Sequence, residues 1–165
     1  SEIEGRGTSG HWEADFMLFA RYGQGLLVLH ERQTRFSIVL HPLDRKAVLT
    51  ARTIARQLGK LPQALRKTIS FDNGTEFAEH HRLHNALGVQ TFFCDPHSPW
   101  QKGGVENSIG RLRRSLPRKT DLKAITAAAL KRLAQRLNDT PRKCLDFNTP
   151  AEAFSKLKSI VALQT

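Results

Sequence analysis

The run from His11 to Ala20 constrains the fold of this chain more than any other feature. It is apolar or aromatic at most positions and has no Gly or Pro to break it. Such a run is expected of a strand buried on both faces, which needs cover on each side. Within it stands Asp15, where an isolated ionised carboxylate would be expensive. Turn chemistry does not account for an acid in the middle of a strand, so Asp15 asks for a functional explanation.

The rest of the pattern supplies the other layers. Gly23-Gln24-Gly25 reads as a turn, Leu26 to His30 as a second strand and Phe36 to Leu40 as a third, together a three-stranded antiparallel meander. A helix is expected over Arg45 to Leu58, with Val48, Ala51, Ala55 and Leu58 on one face and Gly59 as its stop. Thr68 to Phe71 reads as a strand, Glu76 to Leu87 as a helix ended by Gly88, and Val89 to Phe93 as a further strand. A loop punctuated by Pro and Gly covers Asp95 to Gly104. Beyond it Val105, Ile109, Leu112 and Leu116 are spaced for one buried helical stripe. Leu122 to Leu137 reads as a second amphipathic helix capped by Thr120-Asp121, and Pro150 to Leu157 as a last short one. The fold class is therefore α/β: a mixed five-stranded sheet, three antiparallel strands and then parallel additions, flanked by helices. That element order matches the RNase H-like fold.

At 165 residues the chain suits one domain with a real core. Residues 1–9 read as a linker or tag remnant, Ile3-Glu4-Gly5-Arg6 having the form of a protease site, and residues 10–160 as the core. Starting at Ser1, the chain reads as a fragment. With 26 Lys+Arg against 15 Asp+Glu, its net charge of +11 favours a polyanionic partner, nucleic acid being the commonest. No apolar run is long enough to span a membrane, and the polar first residues are no signal peptide. Cys94 and Cys144 suggest no disulfide framework and fit a reducing compartment.

Two further acids join Asp15. Asp72 follows the strand ending at Phe71 and opens the turn Asn73-Gly74. Glu106 starts a helix and is the only acid between Pro96 and Thr120, a stretch with six Lys or Arg. Simpler readings exist: Asp72 as a turn residue, Glu106 as a charge complementing a helix N-terminus. Glu13, two residues from Asp15 on the same strand face, and Glu76, in a first helical turn, are rivals. If strands one and four are neighbours, the three carboxylates meet at one sheet edge. Two such charges about 4 Å apart repel by roughly 4 kcal/mol at an effective dielectric near 20. Either one carboxylate stays protonated or a cation neutralises the cluster, and hard oxygen ligands of this type suit Mg²⁺, with Mn²⁺ able to replace it. Two ions in such a site activate a water or 3′ hydroxyl and stabilise the leaving oxygen.

The positive charge is also patterned. Asn107, Arg111, Arg114 and Arg118 repeat the helical spacing beside Glu106, with Lys102, Arg113 and Lys119 nearby and almost no compensating acids. These residues are expected to contact DNA phosphates, with Lys123, Lys131, Arg132 and Arg136 extending the charge. Gly103-Gly104 either hinges a mobile loop or shapes the turn into the helix. His80, His81, His84, Cys94 and His97 lack the spacing of a zinc finger and read more simply as surface histidines beside a strand cysteine.

Taken together, the acidic segments resemble the IS-thirty family of bacterial insertion-sequence transposases, within the wider retroviral-integrase-like superfamily. Gly10-His11-Trp12-Glu13-Ala14-Asp15 is similar to the family's first motif, which usually has Gly at the position of Ala14. Phe71-Asp72-Asn73-Gly74-Thr75-Glu76-Phe77 resembles the second. Asp95 through Asn107 resembles the third, with His97 where Tyr is common. The last two acids are separated by 33 residues, the family's interval, and Leu137-Asn138, Pro141-Arg142-Lys143 and Thr149-Pro150 resemble its closing segment. The resemblance implies a metal-dependent DNA transposase domain with Asp15, Asp72 and Glu106 as catalytic residues and metal ligands, Glu13 and Glu76 being supporting residues. It also implies action on transposon ends and target DNA, a homo-oligomer on DNA, and a bacterial cytoplasmic, nucleoid-associated location. The competing functions are an RNase H-like nuclease that only hydrolyses and an inactive DNA-binding remnant.

Overall fold

The computed structural model describes residues 7–21, 23–95, 101 and 103–164. Five strands form one sheet in the order β3-β2-β1-β4-β5. They are β1 (His11–Leu18), β2 (Gly25–Glu31), β3 (Ser37–Leu40), β4 (Thr68–Phe71) and β5 (Gln90–Phe93). β1 pairs antiparallel with β2, and β2 with β3, whereas β4 runs parallel to both β1 and β5. The run that opened the sequence is thus the central strand, and this is the RNase H-like architecture that the element order implied.

Both faces of the sheet are covered, as the doubly apolar strand requires. Trp12, Ala14 and Phe16 of β1 face a core that holds Leu27, Leu29, Ile69 and Phe71. On that side lie α1 (Ala47–Leu58), α2 (His81–Leu87) and α5 (Pro150–Leu163). Trp12 is fully buried, donates from Nε1 to the Leu65 carbonyl at 2.8 Å, and meets Phe154 of α5 edge-on at 6.0 Å. The opposite face gathers Met17, Leu26 and Val28 with Val105 and Leu112 of α3 (Gly103–Leu112) and Leu137 of α4 (Ala127–Asn138). Each fully buried aliphatic or aromatic side chain contributes roughly 1.5–3 kcal/mol, so β1 anchors two cores at once. Among the described residues no helix is long and apolar enough to cross a membrane.

Several boundaries differ from expectation for local reasons. The segment before α2 forms a separate 3₁₀ turn at Thr75–Phe77, and α2 ends where Gly88 adopts φ 71°. α3 stops at Leu112, five residues before Pro117, so the helical face expected to run through Arg114 and Arg118 is not continuous. The helix expected from Leu122 is divided. Asp121 caps a 3₁₀ turn at Leu122–Ala124, Ile125 is extended, and the Thr126 side chain then caps α4. α5 runs past Leu157 to Leu163, opened by Pro150 and a reciprocal cap between Thr149 and Glu152.

Candidate active site

The parallel pairing of β1 with β4 sets the two aspartates side by side. Its register runs His11↔Thr68, Trp12↔Ile69, Glu13↔Ser70. Carried two residues further, that register brings Asp15 level with Asp72, on chains roughly 4.8 Å apart. Both stand toward the carboxyl ends of parallel strands, where open α/β sheets form their sites. Asp15 is half-buried and accepts from the Phe16 amide at 2.8 Å. Asp72 is also half-buried, and its Oδ1 accepts from the Gly74 amide at 2.9 Å, the turn role foreseen for it. That turn does not exclude a second role, because a carboxylate has further lone pairs to offer.

Alternation along β1 decides which face Asp15 uses. Trp12, Ala14 and Phe16 point toward α1, α2 and α5, while Met17 meets α3 and α4. Glu13 and Asp15 therefore point to the α3 side. Glu13 makes direct contact there: its Oε1 lies 3.5 Å from the Val105 amide that opens α3. Glu106 is the next residue of that helix, exposed in its first turn. All three predicted catalytic carboxylates thus belong to one side of the sheet. They are not drawn into a single ligand cage, since among the described residues no three His, Cys, Asp or Glu side chains stand close enough to hold a metal ion. Asp15 and Asp72 form the level pair, and Glu106 flanks it on the helix above.

The rival acids have partners of their own. Glu13 is 2% exposed and lies 3.7 Å from the guanidinium of the equally buried Arg32. Glu76 pairs with Arg45 at 3.3 Å. Each is paired with a cation within the fold.

Two residues that sequence reasoning passed over hold α3 in place. His30, 2% exposed on β2, shares its Nδ1 with Ser37 Oγ at 3.2 Å and Ser108 Oγ at 3.1 Å, and the two hydroxyls lie 2.9 Å apart. Ser37 is fastened in turn to Asn138 of α4 by a pair of backbone–amide hydrogen bonds. Gly104 lies so close to this cluster that a Cβ there would meet His30 Nε2 at 2.5 Å and Glu13 Oε2 at 2.7 Å. Gly103 has nothing within 4 Å of the corresponding point. The glycine pair is therefore asymmetric: Gly104 permits close helix–sheet approach and Gly103 is open. The sequence offered little signal, because His30 stands at the polar end of its strand, before Glu31 and Arg32.

Of the residues expected to meet DNA, Lys102 lies outside the described residues, as does His97. Asn107 and Arg114 are exposed and Arg111 is half-buried. Arg111, Arg114 and Arg136 border a groove of about 270 Å³ between α3 and α4. Arg118 and Lys119 are exposed beyond the helix, where the Arg118 carbonyl receives the Ala20 amide at 2.8 Å. Arg113 turns inward instead, donating to the Leu18 carbonyl and resting 5.0 Å over the Phe19 ring. Burial, and then the nearby Arg118, lowers its guanidinium pKa below the ordinary arginine value. Among the histidines, His80 bonds Thr91 Oγ1 at 2.7 Å and packs edge-on against Phe93, while His81 lies 3.4 Å from Glu79.

Comparison with known proteins bears on the family and the fold. The family described as Integrase core domain matches residues 6–99, which include Asp15 and Asp72. The transposase for insertion sequence element IS1086 of Cupriavidus metallidurans is 37% identical over 94% of this chain and 46% of its own length. Transposase InsI for insertion sequence element IS30C of Escherichia coli is 36% identical over 93% of this chain and 40% of its own. The chain thus spans less than half the length of these relatives. Among solved structures, the catalytic core domain of BIV integrase superposes with a TM-score of 0.70 at 20% identity, covering 93% of this chain and 99% of that one. A chain of the simian T-cell lymphotropic virus intasome in complex with PP2A regulatory subunit B56 gamma gives 0.71 at 17%, over 90% of this chain and 55% of that one. At these identities the structural likeness speaks to the fold.

Proposed function

Because this chain belongs to the integrase core domain family and has insertion-sequence transposases among its relatives, we propose that it is the catalytic domain of a DNA transposase. The observation that carries this reading is the register that brings Asp15 level with Asp72, on the face over which α3 carries Glu106. Asp15 and Asp72 would hold a divalent cation between them, with Glu106 completing the ligand set. An all-oxygen, anionic donor set of this kind suits Mg²⁺ or Mn²⁺. Bound there, the cation would supply Lewis-acid activation of a water or 3′ hydroxyl and neutralise the departing oxygen.

The chain's own residues do the rest. In each step a hydroxyl oxygen attacks phosphorus, the bond to a 3′ oxygen breaks, and the attacking proton is lost to solvent while the leaving oxygen gains one. Asp15, on β1, and Asp72, at the end of β4, would fix where the cation sits and through it the scissile phosphate. Glu13, Gly104 and His30 hold the first turn of α3, which carries Glu106, against β1 and β2. Repulsion among three carboxylates opposes their approach, so Glu106 would close on the pair only with a cation between them. Asn107 and the basic residues Arg111, Arg114 and Arg118, with Lys102, would guide the DNA backbone; Arg113, turned into the fold, contributes charge from within.

The test is direct. Supercoiled plasmid incubated with the protein in Mg²⁺ or Mn²⁺ should be nicked and then joined, giving products with new strand junctions. Nicking without junctions would favour a purely hydrolytic nuclease. Full activity of the Asp72→Asn protein would sink the assignment.

A further inference from the structure

A second cavity lies beside the first turn of α3, the turn that also carries Glu106. It encloses about 470 Å³ and is bounded by Arg35, Arg111, Arg142 and Lys143, with Gly103 and Asn107 at its α3 edge. Among the described residues no acid lines it, and none of the four cations forms an ion pair. Cations gathered inside a fold normally find carboxylates, because unpaired charge in a cavity is costly. Here they do not. Arg142 is 7% exposed, yet its guanidinium is held by the Leu137 carbonyl at 2.9 Å and the Thr140 carbonyl at 3.3 Å, groups that position a charge without cancelling it. The buried Nε of Arg111 has no hydrogen-bond partner. Burial, then the proximity of Arg111 and also of Arg35, holds the Arg142 guanidinium below the ordinary arginine value, so these groups feel one another.

Backbone conformation supports the same conclusion. Arg35 has φ 63°, a region that costs an ordinary side chain energy and that Gly would occupy freely. The only other non-glycine residues with positive φ among those described, Asp146 and Phe147, lie in the loop that carries Arg142 and Lys143. An arginine kept where glycine is easier suggests that the side chain is used.

From this cavity we infer a phosphate-binding pocket that takes one backbone phosphodiester of a DNA strand, through Arg35, Arg111, Arg142 and Lys143. An anion supplies the missing counter-charge, and forked guanidinium groups match its oxygens. Among the described residues the walls hold no Phe, Tyr or Trp to stack a base, so these residues read backbone and not sequence. Its edge at Asn107, the residue after Glu106, sets the bound phosphate a short distance along the strand from the carboxylates. The assignment rests on the DNA-acting reading above and adds Arg35, Arg142 and Lys143 to the contact surface.

The experiment uses two probes, a DNA duplex of arbitrary sequence and inorganic phosphate. Arg35→Gly is the key variant because it removes the charge and relieves the backbone, while Lys143→Gln is exposed and safe for folding. Each should flatten the salt dependence of log K for duplex binding by roughly 0.9, with the melting temperature of Arg35→Gly unchanged or raised. Cys144 lines the cavity and is exposed, whereas Cys94 is buried, so alkylation by iodoacetamide reports occupancy. Duplex should slow Cys144 alkylation in the wild type and much less in Arg35→Gly. Unchanged slopes with unprotected Cys144 would overturn the pocket. Protection by phosphate but not by duplex at matched ionic strength would overturn the DNA assignment and leave a small-anion site. Plasmid nicking, followed in parallel, separates this inference from the transposase reading: Arg35-dependent binding without cleavage keeps the pocket, and cleavage without it does not.

Discussion

Asp15 and Asp72 occupy equivalent levels on neighbouring strands but are held by different backbone groups. Asp72 accepts the Gly74 amide through one oxygen, and an asparagine keeps that acceptor. Asp72→Asn is therefore expected to cost about 1 kcal/mol or less in stability while losing Mn²⁺ binding and plasmid nicking, as calorimetric titration and gel analysis would show. Glu13→Gln should behave in the opposite sense: it weakens the buried pairing with Arg32 and lowers the melting temperature while leaving Mn²⁺ binding in place. The glycines give a second contrast. Gly104→Ala forces a Cβ into His30 and Glu13 and should destabilise by about 1–3 kcal/mol in a urea melt. Gly103→Ala, with open space around it, should be neutral or gain up to about 1 kcal/mol. A hinge role for both would instead show as equal losses of activity without loss of stability. Asp15 was legible because a charge inside an apolar run has few structural explanations. The part played by Gly104 was not, since it depends on how closely β2 approaches.

At the scale of elements, caps and stops account for most departures from expectation. Asp121 was read as part of a helix cap and instead holds a short turn that ties the β1–β2 connection to the segment before α4. Its Oδ1 accepts from Gln24 at 2.8 Å and from the Lys123 amide at 3.1 Å, and Arg21 lies 3.6 Å away. The Gln24 hydrogen bond, then that of Lys123, holds the carboxyl below its ordinary value. A depressed folded-state value means that the stabilisation is complete above the unfolded value of about 3.9 and is lost as pH falls through the folded one. Asp121→Asn should therefore lower the melting temperature at neutral pH and make its acid limb less steep, the two proteins converging as pH falls below about 4. Thr149→Ala should cost about 1 kcal/mol, because it removes the reciprocal cap that starts α5 and so loosens Phe154 against Trp12. Periodicity indicated α3 through Val105, Ile109 and Leu112, yet it also extended the basic face past Leu112, because Arg114 and Arg118 keep helical spacing after the helix has ended.

For the whole molecule, the sheet separates two hydrophobic cores, and the carboxylates lie on the side where α3 and α4 pack. A cation bound by both β1 and β4 would stabilise the native state of the entire sheet. At about a hundredfold over its dissociation constant the gain should be about 2.7 kcal/mol, seen as a rise in melting temperature with Mn²⁺. That rise should be absent in Asp72→Asn. Equal shifts in both proteins would mean that the ion binds elsewhere. The net charge of +11 acts at this scale as well, and described basic groups line both the groove at Arg111 and Arg114 and the open cavity at Arg142.

The amino-acid sequence by itself determined the order of strands and helices, the central place of the first strand, and which three acids merit attention. These follow from local patterns: apolar runs, turn residues, and charges that stand where solvation is lost. Tertiary structure alone decided that Asp15 and Asp72 are level, since that depends on a register between strands more than fifty residues apart. It alone turned Arg113 inward to Phe19, drew Gly104 against His30, and closed Arg35, Arg111 and Arg142 around one cavity. The physical reason is common to all four. Spacing along a chain says which residues share a face, but a register, a close approach or a cavity is a property of two surfaces, and it exists only once the elements that carry them have packed.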